Sequence, residues 1–120
     1  MNKNDRFKIL NDRNFWNNLQ FLVSGYFAES QNTEFNRFWI DGFEPIDCSN
    51  TKDGIDVEGI VWVMLMAKAE PLQGHKPKYS FRMTIPQKLL YKEIEKFDFE
   101  VTNFDTGSKE LELRIMKPSN

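Results

Sequence analysis

The segment Ile55 to Ala67 constrains the fold more than any other part of the chain. Read as an extended strand, it places Ile55, Val57, Val61, Val63 and Leu65 on one face and Ile60, Trp62, Met64 and Met66 on the other. The first half alternates with Asp56 and Glu58, whereas the second half is apolar on both sides. Such a pattern suits a long strand that begins exposed and ends centrally in a sheet, with a helix covering one side. Gly59 stands where the pattern changes and marks a bulge or a bend.

A helix to provide that cover lies upstream. From Asp12 to about Glu29, residues Phe15, Trp16, Leu19, Leu22, Val23, Tyr26 and Phe27 recur at the spacing of one helical face. Asp12 is a suitable N-cap, and Arg13, Asn17, Asn18 and Gln20 take the opposite face. The ten preceding residues read as a tail or a loosely docked segment. After the helix, Phe35, Phe38, Trp39 and Ile40 form a short strand that stops at a turn at Asp41-Gly42. Phe43 to Ile46 is a short partner strand held to an edge by Pro45, and Asp47 to Gly54 is a turn-rich loop.

Downstream, Glu70 to Pro77 reads as a loop, and Tyr79, Phe81 and Met83 alternate with polar residues as a half-buried strand does. Pro86 ends that strand, and Gln87 to Lys96 fits a short second helix. Phe97, Phe99 and Val101, a turn at Asp105 to Ser108, and Leu111, Leu113 and Ile115 describe a C-terminal hairpin. Leu, Ile, Val and Phe make up just over a quarter of the 120 residues, enough for one core. No repeat or linker divides the chain. The expected architecture is therefore one α+β domain over 1–120: an N-terminal amphipathic helix on a mostly antiparallel sheet of four to six strands.

The same residues exclude much chemistry. The longest uncharged apolar stretch, Gly59 to Ala67, is about half of a membrane span, and the chain is polar from Asn2 onward. Neither a transmembrane helix nor a signal peptide is expected. One cysteine and one histidine allow no internal disulfide and no Cys/His zinc site. No glycine-rich phosphate loop and no nucleophile-elbow motif occurs, so no cofactor and no enzymatic activity is expected. Cys48 and His75 are the one pair that the fold would have to unite for nucleophilic catalysis. Lys88, Lys92 and Lys96 are interspersed with glutamates in an acidic chain, which disfavours nucleic acid as a partner.

Charge is where the sequence points to a surface. The net charge of −2 conceals a local excess: Asp41, Glu44, Asp47, Asp53, Asp56 and Glu58 lie within eighteen residues, offset by Lys52 alone. The spacing of Asp53, Asp56 and Glu58 is not that of a calcium loop, so no metal is expected. Two readings remain for the cluster. It is a solvated loop without a role, or it is a docking surface for a basic partner, with Trp39 and Phe43 as apolar anchors beside it. A rival reading starts from the 14% aromatic content, which a helix on a curved sheet could arrange around an apolar ligand pocket, as in folds resembling nuclear transport factor 2. A third uses an edge strand such as Phe97 to Phe104 for homodimer pairing.

The run Phe38-Trp39-Ile40-Asp41-Gly42-Phe43-Glu44-Pro45, then Gly59-Ile60-Val61-Trp62-Val63 and Tyr79 to Pro86, resembles small bacterial α+β immunity proteins encoded beside polymorphic or contact-dependent toxins. The resemblance covers about half of the chain. It implies a cytoplasmic antitoxin that binds one toxin domain and blocks its active site, with an acidic blocking surface where the toxin is a nuclease with a basic site. No residue set is carried over, because such proteins diverge most at their binding surfaces.

Overall fold

The computed structural model describes residues 8–30, 38–67, 70–71 and 78–118, without the side chains of 65–71. The elements run in the order α1 (8–11), α2 (Arg13–Ala28), β1 (Phe38–Thr51), β2 (Gly54–Ala67), β3 (Glu70–Pro71), β4 (Lys78–Pro86), α3 (Tyr91–Ile94), β5 (Asp98–Asp105) and β6 (Glu110–Met116). The sheet order is β1-β2-β4-β6-β5, with the two-residue β3 beside the far end of β2. All neighbours are antiparallel except β4 and β6, which run parallel. This is the expected α+β architecture of a helix packed on a mostly antiparallel open sheet.

Helix α2 begins where Asp12 accepts a hydrogen bond from the Phe15 amide at 3.0 Å. The other oxygen of the same carboxylate accepts from the Tyr91 hydroxyl at 2.6 Å, tying the start of α2 to α3. Phe15, Trp16, Leu19, Val23 and Phe27 are buried as the helical period requires. Leu22 and Tyr26, expected on the same stripe, remain 40% and 45% exposed on its flank, and Ser24 is buried instead. The segment before α2 is not a tail at residues 8–11. Ile9 is fully buried, and its carbonyl accepts the Trp16 indole N–H at 2.8 Å.

The inner face of the sheet carries Val57, Val61 and Val63 of β2, Tyr79, Phe81, Met83 and Ile85 of β4, and Leu111, Leu113 and Ile115 of β6, all buried in one core with α2. Trp16, Phe43 and Phe81 form an aromatic triangle within it, with ring centroids 5.2 to 5.9 Å apart. At this triangle, side chains of α2, β1 and β4 meet between the helix and the sheet.

The region from Asp41 to Gly54 corrects the sequence expectation. Asp41-Gly42 is no turn and Asp47 to Gly54 is no loop: β1 continues to Thr51 and pairs with β2 along its length. What breaks the alternation is a pair of bulges, at Asp41 and at Ile46, each adding one unpaired residue. Gly59 is not itself a bulge, since it keeps its register with Pro45 and Phe81. The β1–β2 turn is confined to Lys52-Asp53. Pro45 does lie on an edge strand, as its missing N–H demands. The second helix is one turn, Tyr91–Ile94, because Pro86 to Lys88 forms a turn and Leu90 is extended. The expected strand residue Phe35 and the loop 72–77 lie outside the described residues.

Candidate protein-binding surface

The face of the sheet opposite α2 can be built from register alone, because cross-strand partners point to the same side. One row across the sheet is Asp47, Glu58, Arg82, Glu112 and Asn103. The rows on either side are Glu44, Ile60, Ser80, Glu110 and Asp105, and Ser49, Asp56, Thr84, Arg114 and Glu100. Carboxylates dominate these rows, against the two guanidiniums of Arg82 and Arg114.

Those two cations are engaged. Arg82 meets Glu58 at 2.7 Å, and the hydrogen bond and charge of that glutamate hold the guanidinium pKa above its ordinary value. Arg114 lies 3.3 Å from Glu100. Thr84 donates to Asp56 at 3.1 Å, and Asp47 accepts the Cys48 amide at 2.8 Å. Among the described residues, no cation lies within ion-pair distance of Asp47, Glu110 or Glu112. These three, with Glu58, Arg82 and Ile46, line an open cleft of about 440 Å3. Ile46, pushed out by its bulge, is 62% exposed at the rim.

Next to the acidic rows the same face is apolar. Trp39 is paired with Met64, and Trp62 with Gly42 on one side and Lys78 on the other. The Lys78 ammonium stands 5.0 Å from the Trp62 ring centroid. Trp39, Ile60, Trp62 and Met64 are half-buried, yet none of them packs against the core. They form an apolar corner beside a negative field.

The sequence-derived site residues thus divide. Trp39, Glu44, Asp47, Asp56 and Glu58 share the open face. Asp41 sits in a bulge on the edge strand, and Asp53 in the hairpin turn. Phe43 faces the other way, packing between Trp16 and Phe81, so it is not an anchor on the acidic surface. Glu110 and Glu112 were missed. Their alternation with Leu111 and Leu113 places them on the solvent side of β6, but only the parallel pairing of β6 with β4 brings them beside Glu58 and Arg82.

For the rival readings, Cys48 is half-buried against the core and His75 lies outside the described residues. Further clefts of about 450 and 390 Å3 lie beside Asp12 and Phe97 and beside Gly54 and Lys88. Among the described residues, no group of three His, Cys, Asp or Glu side chains converges as a metal site. No described helix is long and apolar enough to cross a membrane. Compared with models of known families, with characterised proteins and with solved structures, the chain matches none.

Proposed function

We propose that the chain is a non-enzymatic protein-binding module whose open sheet face docks a basic partner, as an immunity protein docks the toxin domain it neutralises. The observation that carries this reading is the apolar corner of Trp39, Ile60, Trp62 and Met64 on the same sheet face as the carboxylates Asp47, Glu110 and Glu112, which have no described cation within ion-pair distance. Apolar side chains that leave the core and stay half-exposed next to a field of one sign combine the two parts of a protein interface. One is a desolvated anchor and the other an electrostatic guide for encounter. The toxin-neutralising form of the reading draws on the sequence resemblance, and a toxin domain with a basic active site supplies the complementary charge.

The test uses the product of the reading frame next to this gene in its native host, with its association and dissociation on the immobilised full chain followed by surface plasmon resonance. The expected outcome is a complex that weakens as salt rises, chiefly through slower association. Reversing Asp47, Glu110 and Glu112 to Lys should slow association further and flatten the salt dependence. Trp62→Ala should raise the dissociation rate and cost about 2 kcal/mol of affinity. Charge reversal that leaves both affinity and salt dependence unchanged would overturn the assignment of this face.

A further inference from the structure

The two edges of the sheet are treated very differently by the chain. On β1, Ser24 of α2 accepts from the Ile40 amide at 3.1 Å and donates to the Ile40 carbonyl at 3.3 Å, and Gln20 donates to the same carbonyl at 3.2 Å. The outward hydrogen-bonding groups there are already used. Further along, Pro45 has no N–H to offer, the Ile46 bulge breaks the line of the strand, and Asp47 folds back onto the Cys48 amide. These are the devices by which an edge is closed to added strands. The opposite edge is β5, which has β6 on one side and, among the described residues, no strand on the other. Its single irregularity is the bulge at Thr102.

Beside β5 the inner face has an apolar shelf. Phe99 and Val101 are only half-buried, and the exposed Tyr26 ring stands edge-on to Phe99 at 6.1 Å, with Leu22 one turn earlier on the same flank. On the open face the strand carries Asp98 and Glu100, the latter 3.3 Å from Arg114 opposite it on β6, and beyond the bulge Asn103 and Asp105 lie beside Glu112 and Glu110. A second copy of the chain fits this edge poorly. Each face-matched antiparallel register through Phe99 and Val101 sets Asp98 opposite Glu100, Glu100 opposite its own copy, or Asp98 opposite Asp105.

We propose that the β5 edge receives a β-strand from the basic partner, with Lys or Arg projecting on the open face beside Asp98 and Glu100 and apolar residues packing on the shelf of Phe99, Val101 and Tyr26. Main-chain hydrogen bonds give such an added strand its affinity, and alternate side chains give its specificity. The proposal rests on the protein-binding reading above and specifies how the partner engages. The added strand extends the acidic face sideways, so its basic residues reach the same field that guides encounter.

The test titrates the full chain with a synthetic peptide alternating Lys and Val, followed by amide shifts and hydrogen exchange. Controls are the Glu/Val peptide and two versions of the Lys/Val peptide N-methylated at the Lys or at the Val positions. The expected result is new protection of β5 amides with none along β1, and no binding of the Glu/Val peptide. One of the two N-methylated peptides should bind at least about tenfold more weakly, through loss of its edge hydrogen bonds. Protection along β1, or protection of β5 that grows with protein concentration and needs no peptide, overturns the proposal. If both N-methylated peptides bind like the parent and binding is lost in Asp47→Lys/Glu112→Lys, the basic segment lies across the open face: strand addition fails and the protein-binding reading stands. Absence of binding by every Lys/Val peptide overturns strand addition, and the binding measurement with the native partner then decides the protein-binding reading by itself.

Discussion

Gly59 keeps regular strand register, yet no larger residue fits there. A Cβ on it would collide with the Glu44 carbonyl oxygen and approach the Phe81 ring and Cα of Pro45 at 2.8 and 2.9 Å. Two of the three obstacles are backbone, so the neighbours cannot yield cheaply. Gly59→Ala is expected to lower stability by about 1–3 kcal/mol, the usual range for overpacking. Gly42→Ala, where nothing lies within 4 Å, should be close to neutral. Urea midpoints of the two variants check this contrast. Ser24 offers a second test at the same scale. It is fully buried and is the hydroxyl that satisfies the Ile40 amide, so Ser24→Ala leaves that donor stranded, at a cost of about 1–3 kcal/mol. Ser24→Thr keeps the hydroxyl and should recover part of the loss.

Among the elements, the β5–β6 hairpin carries a pH dependence of its own. The Asp105 carboxylate accepts backbone hydrogen bonds from Ser108 and Gly107, and these hold its pKa below the ordinary carboxylate value. Glu93 is lowered in the same direction, first by the Leu90 amide and then by Lys117. A group whose pKa is depressed on folding stabilises the folded state above its unfolded pKa, and that contribution disappears as pH falls through the folded value. Stability should therefore fall on acidification below the ordinary carboxylate range. Asp105→Asn, which can still accept in the turn but does not titrate, should show a shallower fall in urea midpoints measured across that range.

The elements also show how much was legible beforehand. Helix α2, strand β4 and the C-terminal hairpin can be read because each has a clear period, broken in the hairpin only at Thr102, and a marked end: Asp12, Pro86 and the turn after Asp105. The course of β1 cannot. Its bulges at Asp41 and Ile46 shift the alternation twice, and each shift looks locally like a turn; Asp-Gly and Glu-Pro strengthen that impression. The sequence pattern therefore reads Asp47 as loop and Asp41 as turn, whereas both stand on β1, and Asp56 and Glu58 keep the strand positions their alternation implies. Phe43 was misplaced for the same reason, since a one-residue slip moves a side chain to the other face.

For the molecule as a whole, what local pattern cannot supply is strand order. Nothing in the alternation of Glu110 and Glu112 with leucines says that β6 will lie against β4, and the continuous acidic face depends on that neighbour relation. The same relation shapes how the chain reaches its fold. Strands β1, β2 and β4 form one antiparallel meander and β5 with β6 forms a hairpin, each closed from a short first contact. The parallel contact between them joins Ser80 to Glu110 and Thr84 to Arg114, which requires a longer stretch of chain to be closed first. The expected order is that two pieces form first and meet late along one seam. Leu113 is buried at that seam opposite Met83. Leu113→Ala, costing about 2–5 kcal/mol, should speed unfolding while leaving the refolding rate nearly unchanged, whereas Val57→Ala in the first meander should slow refolding; stopped-flow chevrons separate the two. If that seam is the last to form it is also the first to open, and the rows of carboxylates that cross from β4 to β6 lose their continuity there before the flanking strands separate.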